Sequence, residues 1–308
     1  MPLILRLNVD ARTDYAWVRE SQEFRPIDAV ISGQPKSWNV LGPGGTLLVF
    51  EDFDPRPLPR EPWGGSPSTG PHVLDLISGT VRRLSVDRKE GISGRMEFAV
   101  APDGRVAVAE NVARASDAGP LMSSVSVSVT TPEVGEAREI FHHQAYLWVT
   151  GGDRALQWSP DGARIALSIT DLSGDPLGRA PSRVLLLDTD TGRLIRVLDD
   201  VHLAGSTAWT PDSTRLLVVD VHGRFHLADT ETGTTSALPL SPRDSARRSW
   251  DLVGTAGNDA LLMYHQSGRN GRITTLSLTG GEQREVVSWR GEVDMYVTAA
   301  QMPDGYWD

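Results

Sequence analysis

The residues best suited to chemistry are seven histidines and the carboxylates near them. His142 and His143 are adjacent, so on a strand they point to opposite faces and cannot readily share a metal. His222 and His226 have the i, i+4 spacing that binds zinc on a helix. The turn residues between them make a hairpin instead, and the helical rule does not apply. Asp220 and His222 come close at the tip of that hairpin and read as surface turn residues. The chain contains no cysteine, which excludes disulfides, thiolate nucleophiles, zinc–thiolate sites and iron–sulfur clusters. It has no Gly-x-Ser-x-Gly elbow, no phosphate-binding loop and no dinucleotide fingerprint.

The remaining candidates have the composition of a recognition surface. Trp63, His142, Tyr146, Trp148, His202 and Trp250 supply aromatic and imidazole groups, and Arg243, Arg247 and Arg248 supply cations beside Trp250. Aromatic residues with arginine are the usual anchors of binding surfaces, and an arginine cluster suits an anionic ligand or an acidic segment. Trp63 lies in a proline-stiffened stretch at 51–71, and loops of that length are functional or disordered.

These residues are positioned by a repeat. Ser159-Pro160-Asp161-Gly162 is one turn, and Asp188-Thr189-Asp190-Thr191-Gly192 is the next. Pro fixes φ, Asp bonds nearby backbone and Gly accepts positive φ. Equivalents of the first turn stand at Pro43, Pro102, Pro160, Pro211, Gly257 and Pro303, spaced by 46 to 59 residues. Each unit reads as four short strands, and this period marks a propeller blade. The spacing predicts blades near 38–86, 96–141, 155–198, 206–240, 251–289, and 296–308 plus 3–19. The fold expected is all-β: a six-bladed β-propeller, 1–308 as one domain. N-terminal strands supply the outer two strands of the C-terminal blade and close the ring.

Side chains alternate along the innermost strands. Leu41, Val100, Trp158, Trp209, Thr255 and Gln301 are expected to pack between blades. Val40, Ala99, Gln157, Ala208, Gly254 and Ala300 are expected to face a solvated channel. Gln157 and, one ring outward, Glu97 are too few oxygen ligands for a hard cation, so neither metal nor cofactor is expected.

Ser159 to Ala166 followed by Val184 to Gly192 resembles the repeat of TolB-type, WD-repeat-like β-propellers. The resemblance implies a fold far more than an activity. Acidic residues outnumber basic ones by 40 to 30, which argues against nucleic acid as partner. All but two of the basic residues are arginine, which reads first as a genomic bias toward GC-rich codons and only second as binding. No stretch is apolar enough to cross a membrane, and the first residues lack the pattern of a signal peptide. The expectation is a cytoplasmic monomer that binds a protein or small ligand on its loop face without catalysis. The alternatives are a hydrolase or lyase with its site in the mouth of that face, and a sensor domain of a larger anchored protein. The loop face is expected to be built from 51–71, 141–153, 170–182, 199–206 and 241–251, and 112–123 is expected as a further long connection between second and third strands.

Overall fold

A computed structural model describes residues 3–7, 14–27, 37–53, 68–84, 86, 92–116, 119–131, 137–147, 154–171, 182–238 and 252–307. They form six antiparallel sheets, the six blades of a β-propeller. Blade 1 is Ser37–Leu41, Leu47–Phe53, Ser68–Asp75 and Val81–Arg83. Blade 2 is Ile92–Val100, Val106–Ser116, Gly119–Thr130 and Arg138–His143. Blade 3 has its innermost strand in two pieces, Ala145–Leu147 and Leu156–Trp158, followed by Arg164–Asp171, Ser182–Asp188 and Leu194–Asp199. Blade 4 is Val201–Leu203, Arg215–Asp220, Phe225–Asp229 and Thr235–Ala237. Blade 5 is Leu252–Thr255, Ala260–Ser267, Asn270–Ser277 and Gln283–Arg290.

Blade 6 joins the two ends of the chain, in a different split from the expected one. One C-terminal strand, Val293–Ala299, is innermost, and three N-terminal strands complete the blade: Leu3–Leu7, Asp14–Val18 and Glu23–Pro26. Leu3 pairs with Ala299 and Ile4 with Thr298. Past Ala299 the chain turns at Pro303, where the Tyr306 amide donates to the Pro303 carbonyl at 3.2 Å. It then buries Trp307 against Trp17, ring centroids 6.2 Å apart and stacked. With that tail folded under the blade, the N-terminus must provide the second strand.

The repeated turns behave as their chemistry dictates. Asp161 accepts from the Ser159 hydroxyl at 2.5 Å and the Ala163 amide at 3.0 Å. Asp188 accepts from the Thr191 amide at 2.8 Å and the Thr191 hydroxyl at 2.7 Å. That hydroxyl is the foremost of the groups holding the Asp188 carboxyl below its ordinary range. Gly192 turns with φ +70, and a Cβ there would collide with the Ile140 carbonyl of blade 2.

Arginines at the start of second strands fasten blades 2, 3 and 4 each to the next. Arg105 of blade 2 lies over Trp158 of blade 3, 5.1 Å from the ring centroid. Arg164 of blade 3 lies over Trp209 of blade 4 at 5.3 Å and donates to the Ser213 carbonyl at 2.6 Å and the Thr230 hydroxyl at 2.9 Å. In blade 5 a threonine, Thr255, stands where the tryptophan would be. Arg215 of blade 4 there donates to the Asn258 carbonyl at 2.5 Å and meets Asp259 at 3.1 Å.

The core lies between blades, as the expected alternation requires. Trp209 is fully buried among Ala166 and Leu186 of blade 3, Leu216 and Leu227 of blade 4, and Leu252 and Leu261 of blade 5. Truncating so large a side chain leaves a cavity that the rigid ring cannot close. Trp209→Ala should cost about 3–5 kcal/mol in urea unfolding, and an unchanged midpoint would disprove this packing.

Candidate functional site

The ring axis is where propeller strands converge, and here hydrogen bonds tie several blades across it. The innermost strand of blade 4 leaves its ladder after Leu203. The Ala204 amide bonds to the Leu217 carbonyl, and the Leu217 amide bonds onward to the Ala208 carbonyl. Gly205, Ser206 and Thr207 are therefore extra residues opposite Leu217, a bulge directed at the axis. In blade 3 the ladder breaks between Leu147, opposite Ile169, and Ala155, whose carbonyl takes the Ser168 amide.

Backbone groups freed by such bulges must find partners when buried, and these bond to other blades. The Ser206 amide donates to the Val253 carbonyl of blade 5 at 2.7 Å, and the Thr255 amide donates to the Thr207 carbonyl at 2.7 Å. The Ala299 amide of blade 6 donates to the Ser206 hydroxyl at 3.0 Å. Gln157 of blade 3 is consumed in the same network. Its Nε2 donates to the Gly205 carbonyl at 3.1 Å, and its Oε1 accepts from the Ala208 amide at 2.6 Å. Among the described residues, these hydrogen bonds link blades 3, 4, 5 and 6 across the axis, where a solvated channel is expected from the sequence. A cavity of about 40 Å³, partly open and large enough for water, lies at the axis and is lined by Val40, Ala99, Leu156, Thr207 and Gln301 among others.

Arg154 is the axis residue that sequence reasoning missed. It is 7% exposed. Its amide donates to the Gly205 carbonyl at 3.2 Å, and its guanidinium reaches Thr298 on the opposite blade at 3.4 Å. The available signal was its place, one residue before the ring position of Ala155. Glu97, at 1% exposed, is buried on the innermost strand of blade 2. A fixed guanidinium at the axis repels a metal cation there.

The loop face carries the turns between second and third strands and the crossings between blades. Three segments expected as loops are strand in whole or in part. Residues 112–116 and 119–123 extend a long hairpin of blade 2. Gln144 alone joins Arg138–His143 to Ala145–Leu147, and Asp200 alone, at φ +58, joins Leu194–Asp199 to Val201–Leu203. His142 is thus exposed on an outer strand, paired with Ser126. Tyr146 lies opposite Thr170 on an innermost strand and is 37% exposed. His202 lies opposite Val219 on blade 4, partly buried. These three stand on separate blades. Trp63, Trp148, Arg243, Arg247, Arg248 and Trp250 lie outside the described residues, as do positions 54–67, 172–181 and 239–251.

Asp220 organises the blade 4 turn on this face. Its carboxylate accepts from the His222 amide at 2.8 Å and the Arg224 amide at 2.9 Å. It also accepts from Arg224 Nε at 2.8 Å and lies 3.1 Å from His226 Nε2. Burial alone would raise this carboxyl. The Arg224 amide, His226, the Arg224 side chain and the His222 amide outweigh it and hold the group far below the ordinary carboxylate range. The imidazole that meets Asp220 is that of His226, while His222 contributes its backbone amide. Among the described residues no group of three or more such side chains could hold a metal ion.

Burial pushes the neighbouring His202 down to about 4, against the opposing pull of Asp220. A neutral imidazole is therefore built into the fold.

No family profile and no curated protein matches the chain. Solved structures do match, at low identity. TolB from Acinetobacter baumannii is 14% identical with a TM-score of 0.55, over 97% of this chain and 66% of that one. The chain thus spans about two thirds of the TolB chain's length. A chain of a nidogen/laminin complex is 13% identical with a TM-score of 0.57, over 98% of this chain and 99% of that one. An oligogalacturonate lyase from Vibrio parahaemolyticus is 13% identical with a TM-score of 0.53, over 90% of this chain and 71% of that one. The likeness defines a class by its fold: the chain is a six-bladed β-propeller of the kind seen in TolB.

Two outcomes follow from the axis and the turn. Gly205 has φ +70, and a Cβ there would collide with the Val253 carbonyl, whereas Gly79 has φ +72 with open space around it. The backbone penalty of a positive φ, about 1–3 kcal/mol, applies to both, so Gly205→Ala should destabilise more than Gly79→Ala; equal losses in denaturant titration would refute the close approach. For His202 the unfolded chain binds its proton at the ordinary 6.5 and the folded chain only near 4. Its contribution is therefore full above 6.5 and is lost as pH falls through that window. His202→Gln should flatten the fall in melting temperature between those pH values, and an unaltered slope would contradict the burial.

Proposed function

We propose that the chain is a recognition scaffold whose loop face binds a protein or small-ligand partner without making or breaking bonds. The observation that carries this reading is the kind of side chain that the face presents. Tyr146 is 37% exposed and Val221 is 61% exposed, each held on a rigid strand or a fully bonded turn. Rigid elements that display aromatic and apolar groups lose little entropy on binding. Trp63, Trp148, Arg243, Arg247, Arg248 and Trp250 are the further anchors proposed for the same face, with His142 and His202.

A hydrolase or lyase at this mouth would need titratable groups free to exchange protons near neutral pH. Asp220 is the strongest such candidate among the described residues. Its oxygens are already engaged by backbone, Arg224 and His226, which makes it a poor base. The solved structures with this fold include both a complex of binding proteins and an oligogalacturonate lyase, so fold alone does not decide.

The test is crosslinking capture with the wild-type chain and a Tyr146→Ala/Val221→Ser variant, read by mass spectrometry. The variant should melt within about 4 °C of wild type and lose the partner that wild type enriches. Equal recovery of every partner by both proteins would overturn the reading.

A further inference from the structure

The contact between blades 4 and 5 differs from the others at its upper, outer corner. Side chains alternate along a strand. Leu261 of blade 5 packs against blade 4 with Met263, while Leu262 and Tyr264 pack against blade 6 with Ile273, Val287 and Trp289. His265 and Ser267 therefore share the blade 4 side with Leu261. Their cross-strand partners continue the row: His265 opposes Arg272, which opposes Ser288, and Ser267 opposes Asn270, which opposes Arg290. A face that is apolar near the axis thus becomes wholly polar toward the rim.

The described strands of blade 4 are shorter than those of blade 5. The middle strands of blade 5 have 8 residues each and its outer strand has 8, whereas the corresponding strands of blade 4 have 6, 5 and 3. Blade 5 lines a cleft of about 790 Å³ with His265, Arg272, Glu285, Ser288, Trp289 and Arg290. That volume is typical of a small-molecule site.

The chemistry of the walls selects a ligand. Arg272 and Arg290 are exposed, and neither makes an ion pair among the described residues, although acidic residues are in excess throughout the chain. At the floor the ring of His265 is fixed. Its Nε2 lies 3.0 Å from the Thr274 hydroxyl and 3.0 Å from the Gln283 amide nitrogen. Gln283 also donates to Thr274 at 2.9 Å, which leaves the Thr274 O–H to donate to the imidazole. The ring's own proton then sits on Nδ1 and is available as a donor. Burial and the Arg272 charge both push His265 down, in keeping with a neutral ring. Trp289 borders the cleft from the opposite face of the sheet, where its indole packs on the blade 6 side. It lies over Gly271, where a Cβ would strike the indole, and it stacks on Tyr264 with centroids 6.0 Å apart.

We propose that this cleft binds a small hydroxylated oxyanion, a carboxylate or phosphate carried on a polyol or sugar. Arg272 and Arg290 take the oxyanion, because guanidinium forks match such groups in charge and shape. Glu285, Ser288 and Asn270 take hydroxyls, and Glu285 disfavours a bare anion that offers no hydroxyl in return. This site lies on the flank of one blade and goes beyond the loop-face reading. Its test uses no protein partner, so either proposal can fail alone.

The experiment is calorimetric titration of the chain with glucuronate, glucose 6-phosphate, inorganic phosphate and neutral glucose. Saturable binding of glucuronate or glucose 6-phosphate, stronger than that of glucose or phosphate, is the expected result, and the two arms decide between carboxylate and phosphate. An Arg272→Met/Arg290→Met variant should weaken that binding about tenfold or more, and Arg272→Lys/Arg290→Lys should recover part of it. Because both side chains are exposed, the circular dichroism and melting of each variant should match wild type. Binding of glucose as strong as of the anions, undiminished binding by the methionine variant, or no saturation by about 10 mM would each overturn the proposal.

Discussion

Buried backbone amides and carbonyls must be paired, and that requirement shapes the centre of this propeller. Innermost strands converge on the axis with one edge facing other blades and not another strand. The bulge in blade 4 turns that liability into a network, in which Ser206, Thr207 and Gly205 meet Val253, Thr255, Ala299 and Arg154. Arg154 and Thr298 then link opposite sides of the ring. Each unsatisfied group would cost about 1–3 kcal/mol if left unmade, so the axis is held as a set and not bond by bond. The centre becomes structural, and display of side chains is left to the loop face and the blade flanks.

The same logic extends outward through arginine. Arg105 and Arg164 each stack on the tryptophan of the following blade, and Arg215 reaches the following blade through hydrogen bonds where no tryptophan is present. Arg138 and Arg196 reach carbonyls of the next blade in the same way. A guanidinium suits this task, since it stacks and donates at once. Blade-to-blade cohesion therefore combines apolar burial with a directional tie, while the exposed ion pairs themselves contribute little. Arg272 and Arg290 lack such a tie, which is why they stand out.

The parts of the fold legible in the amino-acid sequence were those decided locally. Pro-Asp-Gly and Asp-Thr-x-Thr-Gly encode their own turns through Asp161, Gly162, Asp188 and Gly192, so blade number and period followed from them. Strand alternation placed Trp158 and Trp209 between blades because neighbouring positions settle it. The axis was not legible, since the bulge at Gly205 depends on carbonyls of blade 5 that are distant in sequence. The split of blade 6 was missed for a related reason: the Trp17–Trp307 stack joins the two ends of the chain. The arginines read as a compositional bias because their partners lie a full blade away. Of the expected site residues, His142, Tyr146 and His202 are placed, and all three proved to be strand residues on blades joined by single-residue crossings.

The account rests on the axis network being a cooperative part of the folded core. Native-state hydrogen exchange, resolved by residue, measures this directly. The amides of Ser206, Ala208, Thr255 and Ala299 should exchange only by global unfolding, with the same protection as the Leu217 amide in the blade 4 ladder. Exchange of these four at the rate of exposed turn amides such as Ile77 would contradict it.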